Sequence, residues 1–233
     1  MKWVALMPLR GGSRSIPSKN LRALAGRPLF AWSLEAAVAS ECFDEIYVST
    51  DSSEIGRAVE REFSSSVQVV GRPAETATDT ASTESVMLDF QERVAFDVLA
   101  LIQATSPLTQ AEDFRRAKRR FSEEGADSLL TAVESKRFFW TRDGAPINYD
   151  PAHRPLRQQF RGLLMENGAF YFTRGTTLRT CRARLGGKIA IYQMPDETGV
   201  EVDEPLDWLV AEHLVLERTR RSGRLAASCR GVR

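Results

Sequence analysis

Short apolar runs alternate along this chain with segments whose apolar positions recur at helical spacing, which predicts strands and helices in turn. The run Trp3 to Leu9 reads as a strand, the Gly/Ser/Pro-rich stretch to Asn20 as a loop, and Pro28 to Ala39 as a helix. The pattern repeats: FDEIYVST predicts a strand near 45 to 50, SSEIGRAVEREF a helix capped by Ser52 or Ser53, VQVV a strand, and TASTESVMLDF the entry to another helix. DVLALI is an apolar strand that opens into QATSPLTQAED, followed by a charged helix in FRRAKRRFSEEG and a strand in SLLTAV. From Phe138 to Arg161 the rhythm breaks into Pro, Arg and aromatic residues, and strand patterns return only at AFYFT and KIAIYQM. EPLDWLVAEHLVLERT closes the pattern as an amphipathic helix, with Leu206, Leu209, Val210, Leu214 and Leu216 among its apolar positions.

Strands alternating with helices predict an α/β fold, a mostly parallel sheet sandwiched by helices. Residues 1–218 are expected to form one domain, with a lobe or arm inserted at about 136–186. The 233 residues, 42% of them apolar, suffice for a substantial core. Charge changes the picture at one end: the last sixteen residues hold six arginines and no acid, so 219–233 reads as a basic, solvated or disordered tail. The whole chain carries 32 basic and 31 acidic side chains, a formal charge of +1, which disfavours a general binder of nucleic acid or anionic membranes. Cys42, Cys181 and Cys229 are odd in number and far apart, so neither a disulfide framework nor a zinc knuckle is expected. The first residues lack a signal-peptide core and no run approaches the ~20 apolar residues of a membrane span. The expected setting is the cytoplasm.

In an open α/β sheet ligands bind beyond the carboxyl ends of the strands, and four such segments carry candidate chemistry. In the first, Leu9 to Asn20, a diglycine turn (Gly11, Gly12) lets backbone approach an anion, while Arg10, Arg14 and Lys19 supply cations for several phosphate charges. It is neither a Walker A loop nor a GxGxxG fingerprint, and a basic surface loop is the plain alternative. The second, Arg72 to Thr83, leads into a helix whose amino end offers N–H groups to a base edge or a phosphate; it reads equally as a helix cap with Ser82 or Thr83 as N-cap. The third, Ile102 to Leu108, sets Gln103, Thr105 and Ser106 after a strand, as a polyhydroxylated ligand requires or as an ordinary turn with Pro107. The fourth, Glu201 to Asp207, places Glu201 and Asp203 on one face if extended. Hard oxygen ligands there suit Mg²⁺ bound also by substrate phosphates, whereas in isolation such acids suit a solvated helix start. Together, a cationic phosphate cradle and a separate carboxylate pair are what nucleotidyl transfer requires. His153 and His213 share no local spacing, and nothing near Cys42 or Cys181 in sequence lowers a thiol pKa, so histidine and cysteine chemistry is disfavoured.

In this order, RGGSRSIPSKN, VSTD at 48 to 51, RPAETATDTAST, IQATSPL, RPLRQQF, ENGAFYF and VDEPLDW resemble the acylneuraminate cytidylyltransferases, the CMP-sialic acid synthetases, over about residues 3 to 218. The resemblance implies a nucleotide-diphospho-sugar-transferase-type domain with a dimerisation lobe, activating an N-acylneuraminate with CTP to give CMP-sugar and pyrophosphate, with Mg²⁺ as cofactor. It implies that Arg10, Gly11, Gly12, Ser13, Arg14 and Lys19 bind the CTP phosphates with Asn20 nearby, and that Arg72, Ala81, Ser82 and Thr83 surround the cytosine. Gln103, Tyr171 and the Asn167-Gly168 turn are implied to hold the sugar, and Arg157 to reach the sugar carboxylate from the partner of a homodimer. Asp203 matches the principal metal carboxylate, while Glu201 stands where the family usually has Asp. Arg10, Arg14, Lys19 and Asp203 are the implied catalytic set. Animal members carry a further phosphatase-like domain, which this sequence is expected to lack.

Three alternatives accompany this reading. Related enzymes of the same class activate deaminated sialic acid, legionaminic acid, pseudaminic acid or Kdo, and a few pocket contacts separate such sugars. A non-catalytic nucleotide-binding regulator would keep the phosphate loop without turnover. A glycosyltransferase of similar fold would bind a sugar nucleotide without using CTP, but the interior Asp-x-Asp that favours it is absent from the sequence.

Overall fold

All seven residues of β1 (Trp3–Leu9) are apolar and all but Pro8 are buried, as a strand covered on both faces demands. The computed structural model of the chain describes residues 1–13, 15–78 and 80–230, with side chains to Arg221. After β1 a two-stranded hairpin, β2 (Ala23–Leu24) and β3 (Arg27–Pro28), turns at Ala25 and Gly26, both at positive φ, and leads into α1 (Leu29–Ser40). Then come β4 (Glu45–Thr50), α2 (Ser53–Phe63), β5 (Gln68–Gly71), α3 (Thr83–Arg93), β6 (Val98–Ile102), α4 (Ala111–Glu123) and β7 (Ser128–Ser135). The chain ends with β8 (Leu163–Arg174), α5 (Gly175–Cys181), β9 (Ile189–Gln193) and α6 (Pro205–Arg230).

Seven strands form one sheet in the order β5-β4-β1-β6-β8-β7-β9. β5, β4, β1 and β6 are parallel neighbours, β8 runs antiparallel between β6 and β7, and β9 lies parallel to β7. The alternation of β1 divides the core. Trp3, Ala5, Met7 and Leu9 face α1, α2 and α4, whereas Val4 and Leu6 face Met87 and Phe90 of α3 and Leu178 of α5. The predicted elements are present with local causes visible: Ser52 caps α2 by accepting from Ile55 N (3.3 Å), and Gln110 with Asp113 forms a reciprocal cap on α4.

Two boundaries differ from expectation. The segment assigned to an inserted lobe, 136–186, divides: 136–162 lies outside the sheet, but β8 is a central strand and α5 covers the second core. The Pro- and Arg-rich stretch before β8 masks this in the sequence, because antiparallel insertion beside β6 is a long-range choice without a local signal. The backbone of α6 runs on to Arg230, into the segment read as a solvated tail; side chains from 222 and residues 231–233 lie outside the described residues. Among the described residues no helix is long and apolar enough to cross a membrane.

Candidate active site

The parallel strands β1, β4, β5 and β6 all end at one edge of the sheet, so their following loops converge there. A cleft of about 280 Å³ opens at this edge, lined by Arg10, Gly12, Ser13, Lys19 and Asn20 from the first loop, Arg72, Ala81 and Thr83 from the second, Gln103 to Thr105 from the third, and Asp203 from the fourth. Residues of all four candidate segments therefore meet. They are brought together by backbone contacts that the sequence does not display. Gly11 N donates to Asp51 Oδ1 (2.9 Å) at the end of β4, and Asn20 Nδ2 donates to Arg10 O (3.0 Å), folding the loop back on itself. A Cβ on Gly11 would stand 3.1 Å from Ser52 Cβ, so the glycine at 11 permits this close approach, whereas a Cβ on Gly12 would meet nothing within 4 Å.

The fourth segment reaches the cleft because α6 packs Trp208, Ala211 and Val215 against Ile16, Leu24 and Leu29, with Val202 buried among them. Lys19 Nζ then donates to Val202 O (2.9 Å) and to Asp203 Oδ1 (3.0 Å), and Ser15 Oγ donates to Asp203 O (2.7 Å). Lys19 is largely enclosed, at 14% side-chain exposure, whereas Asp203 is open at 61%. Asp207 Oδ2 accepts from Asp203 N (3.1 Å) and Glu204 N (2.7 Å), which holds the start of α6. Arg72 donates Nε to Thr76 O (2.9 Å), and burial lowers its guanidinium pKa while Asp51 opposes that shift.

Other predicted residues lie apart from the cleft lining. Ser82 is the N-cap of α3, accepting from Ser85 N (3.2 Å), so the helix-cap reading describes its side chain. Tyr171 is buried in the second core, its hydroxyl on Glu166 and its ring under Arg184 at 4.9 Å. Asn167 is 97% buried and donates Nδ2 to Thr198 O and Oγ1 (both 3.1 Å). Gly168, at φ +64°, abuts the carboxyl group of Glu201. Arg157 lines a different cavity with Lys136, Arg137, Asp196 and Gly199 of its own chain. Glu201 reaches solvent, yet loss of hydration first and the neighbouring Asp203 second raise its pKa above the ordinary glutamate value. Arg14, and Asp79 in the second segment, lie outside the described residues.

The sequence profile of the family described as Cytidylyltransferase matches residues 4–221. The chain belongs to the cytidylyltransferase family. An N-acylneuraminate cytidylyltransferase of Oncorhynchus mykiss is 38% identical over 221 residues, which cover 91% of this chain and 50% of that protein. This chain thus spans about half the length of the curated relatives that it matches at 36–38% identity. A CMP-N,N'-diacetyllegionaminic acid synthase of Legionella pneumophila is 30% identical over 92% of this chain and 97% of its own length. A CMP:2-keto-3-deoxy-manno-octonic acid synthetase, solved in complex with CTP, superposes with a TM-score of 0.71 at 18% identity, covering 94% of this chain and all of that one. At that identity the likeness is one of fold.

Asp51, Ser15 and Asp207 hold the loops around this cleft by hydrogen bonds, and none of them was among the site residues expected from the sequence. For Asp51 a signal existed: an acid directly after β4, the strand beside β1, in VSTD. Ser15 reaches a backbone carbonyl 188 positions away and had none, whereas Asp207 accepts from backbone groups three and four residues before it, the local pattern of a helix start that the acids of the fourth segment already suggest. The base of α3 is held by a further pair, Arg184 Nε to Glu84 Oε1 at 2.5 Å, both partly buried. The hydrogen bond from Arg184 is the largest cause lowering the Glu84 pKa from its ordinary value of 4.5. A lowered folded-state pKa stabilises the fold above pH 4.5, and this is lost as pH falls through 4.5 toward the folded value. Glu84→Gln is therefore expected to lose about 1–3 kcal/mol at pH 7. In urea melts the gap to wild type should close as pH drops below 4.5; a gap independent of pH would assign the loss to packing.

Proposed function

We propose that this chain transfers the cytidylyl group of CTP to an acidic nonulosonic sugar of the sialic-acid type, releasing pyrophosphate. The observation that carries the reading is the convergence of Arg10, Ser13, Lys19 and Asp203 on the cleft that also holds Arg72, Thr83 and Gln103. In this reading Arg10, Gly11, Gly12, Ser13, Arg14 and Lys19 take the triphosphate, with Asn20 beside it, while Arg72, Ala81, Ser82 and Thr83 surround the base. The sugar hydroxyl attacks the α-phosphorus in line: one oxygen–phosphorus bond forms, the bond to the β-phosphate oxygen breaks, and the hydroxyl proton is released. Fixed cations at the cleft stabilise the charge that develops on the leaving pyrophosphate, commonly the largest catalytic term.

Asp203 is the residue that fits a Mg²⁺ ion. Its hard oxygens are exposed at the cleft, and among the described residues no group of three or more His, Cys, Asp or Glu forms a closed metal cage. A site made of one carboxylate and substrate phosphates is the usual protein environment of this ion. When bound, Mg²⁺ supplies Lewis-acid charge to the phosphates.

The sugar side comprises Gln103, Tyr171 and the Asn167-Gly168 turn, with Arg157 delivered by a second copy in a homodimer. Asn167 Oδ1 is buried without a protein hydrogen-bond partner. Two observations support the homodimer. Arg157 lies in a cavity other than the cleft of its own chain, and the 136–165 segment exposes Trp140 (48%), Leu156 (66%) and Leu164 (46%). A reducing cytoplasm accords with the free thiols of Cys42 and Cys181.

A second reading, a legionaminic-type sugar as substrate, is favoured by the relative matched over 97% of its own length. The deciding assay is pyrophosphate release from CTP and Mg²⁺ with N-acetylneuraminate, its deaminated analogue, legionaminic acid, pseudaminic acid and Kdo. Release with a sialic-type sugar is expected. Release with legionaminic acid alone would establish the second reading, and silence across the panel with CTP still bound would replace both by a regulatory nucleotide-binding module.

A further inference from the structure

The start of α3 carries one wall of the cleft, since Ala81 and Thr83 line it. This start has few ties to the rest of the molecule. Apart from the ladder of α3 itself, the hydrogen bonds of 74–78 and 80–83 among the described residues go to near neighbours in the chain, such as Thr76 N to Pro73 O and Ala81 N to Thr78 O. The buried side chains of α3, Val86, Met87 and Phe90, come later in the helix. What reaches the first turn from afar is Arg184, whose Nε donates to Glu84 Oε1 at 2.5 Å across 100 positions.

Arg184 leaves from a fixed base. Its carbonyl accepts from Thr173 Oγ1 of β8 (2.6 Å). Two residues on, Gly186 N donates to Ser128 Oγ at the start of β7 (3.0 Å), and Ser128 Oγ donates to Gly186 O (2.8 Å). The loop after α5 is thus fastened to two strands of the sheet. From there the guanidinium stands 4.9 Å from the centroid of the Tyr171 ring, within the range where a cation is attracted to an aromatic face. Tyr171 donates its hydroxyl to Glu166, the residue before Asn167. Burial first and Glu166 second raise the pKa of that hydroxyl, so it keeps its proton. One guanidinium therefore meets both the nucleotide helix and the ring on the sugar side.

Resting on the cytidylyl-transfer reading of the same cleft, we infer that Arg184 is a positioning residue for both substrates, fixing the first turn of α3 through Glu84 and the Tyr171 ring through its guanidinium face. The two contacts ask for different properties. Glu84 needs only a cation, whereas serving Glu84 and Tyr171 at once needs the planar, weakly hydrated guanidinium. A lysine ammonium is a compact point charge and serves the carboxylate alone. The two halves of the role are therefore separable by substitution.

The test combines a binding and a kinetic readout on wild type, Glu84→Gln, Arg184→Gln, the double variant and Arg184→Lys, each shown by a thermal melt to be folded at the assay temperature. CTP affinity is measured by titration calorimetry without sugar, and sugar KM and kcat by pyrophosphate release at saturating CTP. Arg184→Gln should weaken CTP about fivefold and raise the sugar KM about tenfold with kcat within about threefold, the split that lost binding produces. Glu84→Gln should weaken CTP to a similar extent and leave the sugar KM within about threefold, because Arg184 keeps its place over Tyr171. In CTP affinity the double variant should stay within about twofold of the weaker single, since both substitutions remove the same tie. Arg184→Lys should restore CTP affinity to within about threefold of wild type while its sugar KM stays raised.

A folded Arg184→Gln enzyme with CTP affinity and sugar KM both unchanged would overturn the inference and leave the pair a prop of the fold alone. So would single effects on CTP affinity that multiply in the double variant. If Arg184→Gln does not fold, Arg184→Lys decides, and an unchanged sugar KM there overturns the inference. Failure of the underlying reading looks different: wild type would bind no CTP and no sugar would release pyrophosphate, in which case the inference falls with it.

Discussion

Asp203→Asn is expected to lower turnover about 100-fold or more, by analogy with the ~2.7–4 kcal/mol lost when one charged or polar stabilising group is removed from a reacting centre. The substitution is nearly isosteric and keeps an oxygen for Lys19, so the geometry of the segment survives while the negative charge at the cleft is removed. Little stability should go with it. The side chain is 61% exposed, and its ion pair with Lys19 is open to solvent on the Asp203 side. Lys19 also retains its bond to Val202 O, and Asp207 still accepts from the backbone of residue 203. The measurement is pyrophosphate release at saturating CTP and sugar, paired with a thermal melt of each protein. A variant within threefold of wild type in turnover would remove Asp203 from the mechanism, whereas an enzyme lost together with its melt would show a structural role.

Phe172→Ala is expected to cost about 3–5 kcal/mol, the range for truncating a fully buried aromatic side chain. Phe172 is wholly buried near the carboxyl end of β8, its backbone registered with Ala100 on one side and Leu129 on the other. Its ring meets Trp3 edge to face at 5.2 Å, Phe170 at 5.2 Å, Phe121 at 6.1 Å and Phe43 at 6.4 Å. Truncation leaves a space bordered by four rigid rings, which cannot collapse without moving β1 and α4. Against a net stability on the order of 5–15 kcal/mol this is a large fraction. Leu209→Ala, at a site 64% exposed, should move the urea midpoint hardly at all. A Phe172→Ala loss below about 1 kcal/mol would mean that the aromatic cluster repacks freely, contrary to the close packing of protein interiors.

Much of this architecture is legible in one dimension. β1, β4, β6 and α1 to α4 follow from apolar runs, helical spacing and caps, because those signals are local: a strand buried on both faces must be apolar throughout, as VLALI is, and a helix start must satisfy its free N–H groups, as Ser52 and Ser82 do. The cationic diglycine loop and the acid-rich segment before α6 are likewise readable, since phosphate and a hard cation demand those residue types. The seven motifs in order pointed to the family whose profile matches 4–221. The insertion of β8 between β6 and β7 was not legible, nor was the burial of Tyr171 and Asn167, nor the turning of Glu201 onto Gly168.

The set of elements and the kinds of chemistry held in the loops between them are local properties, because propensity, periodicity and charge are written residue by residue. Which of those residues share a cleft is settled by long-range packing. That choice depends on sheet order and on α6 docking against Ile16, Leu24 and Leu29, contacts that span much of the chain. Asp203 meets Lys19 across 184 positions, while Glu201, two residues earlier, is carried by one extra methylene to Thr105. Local sequence sets what a side chain can bind; long-range packing sets what stands within reach of it.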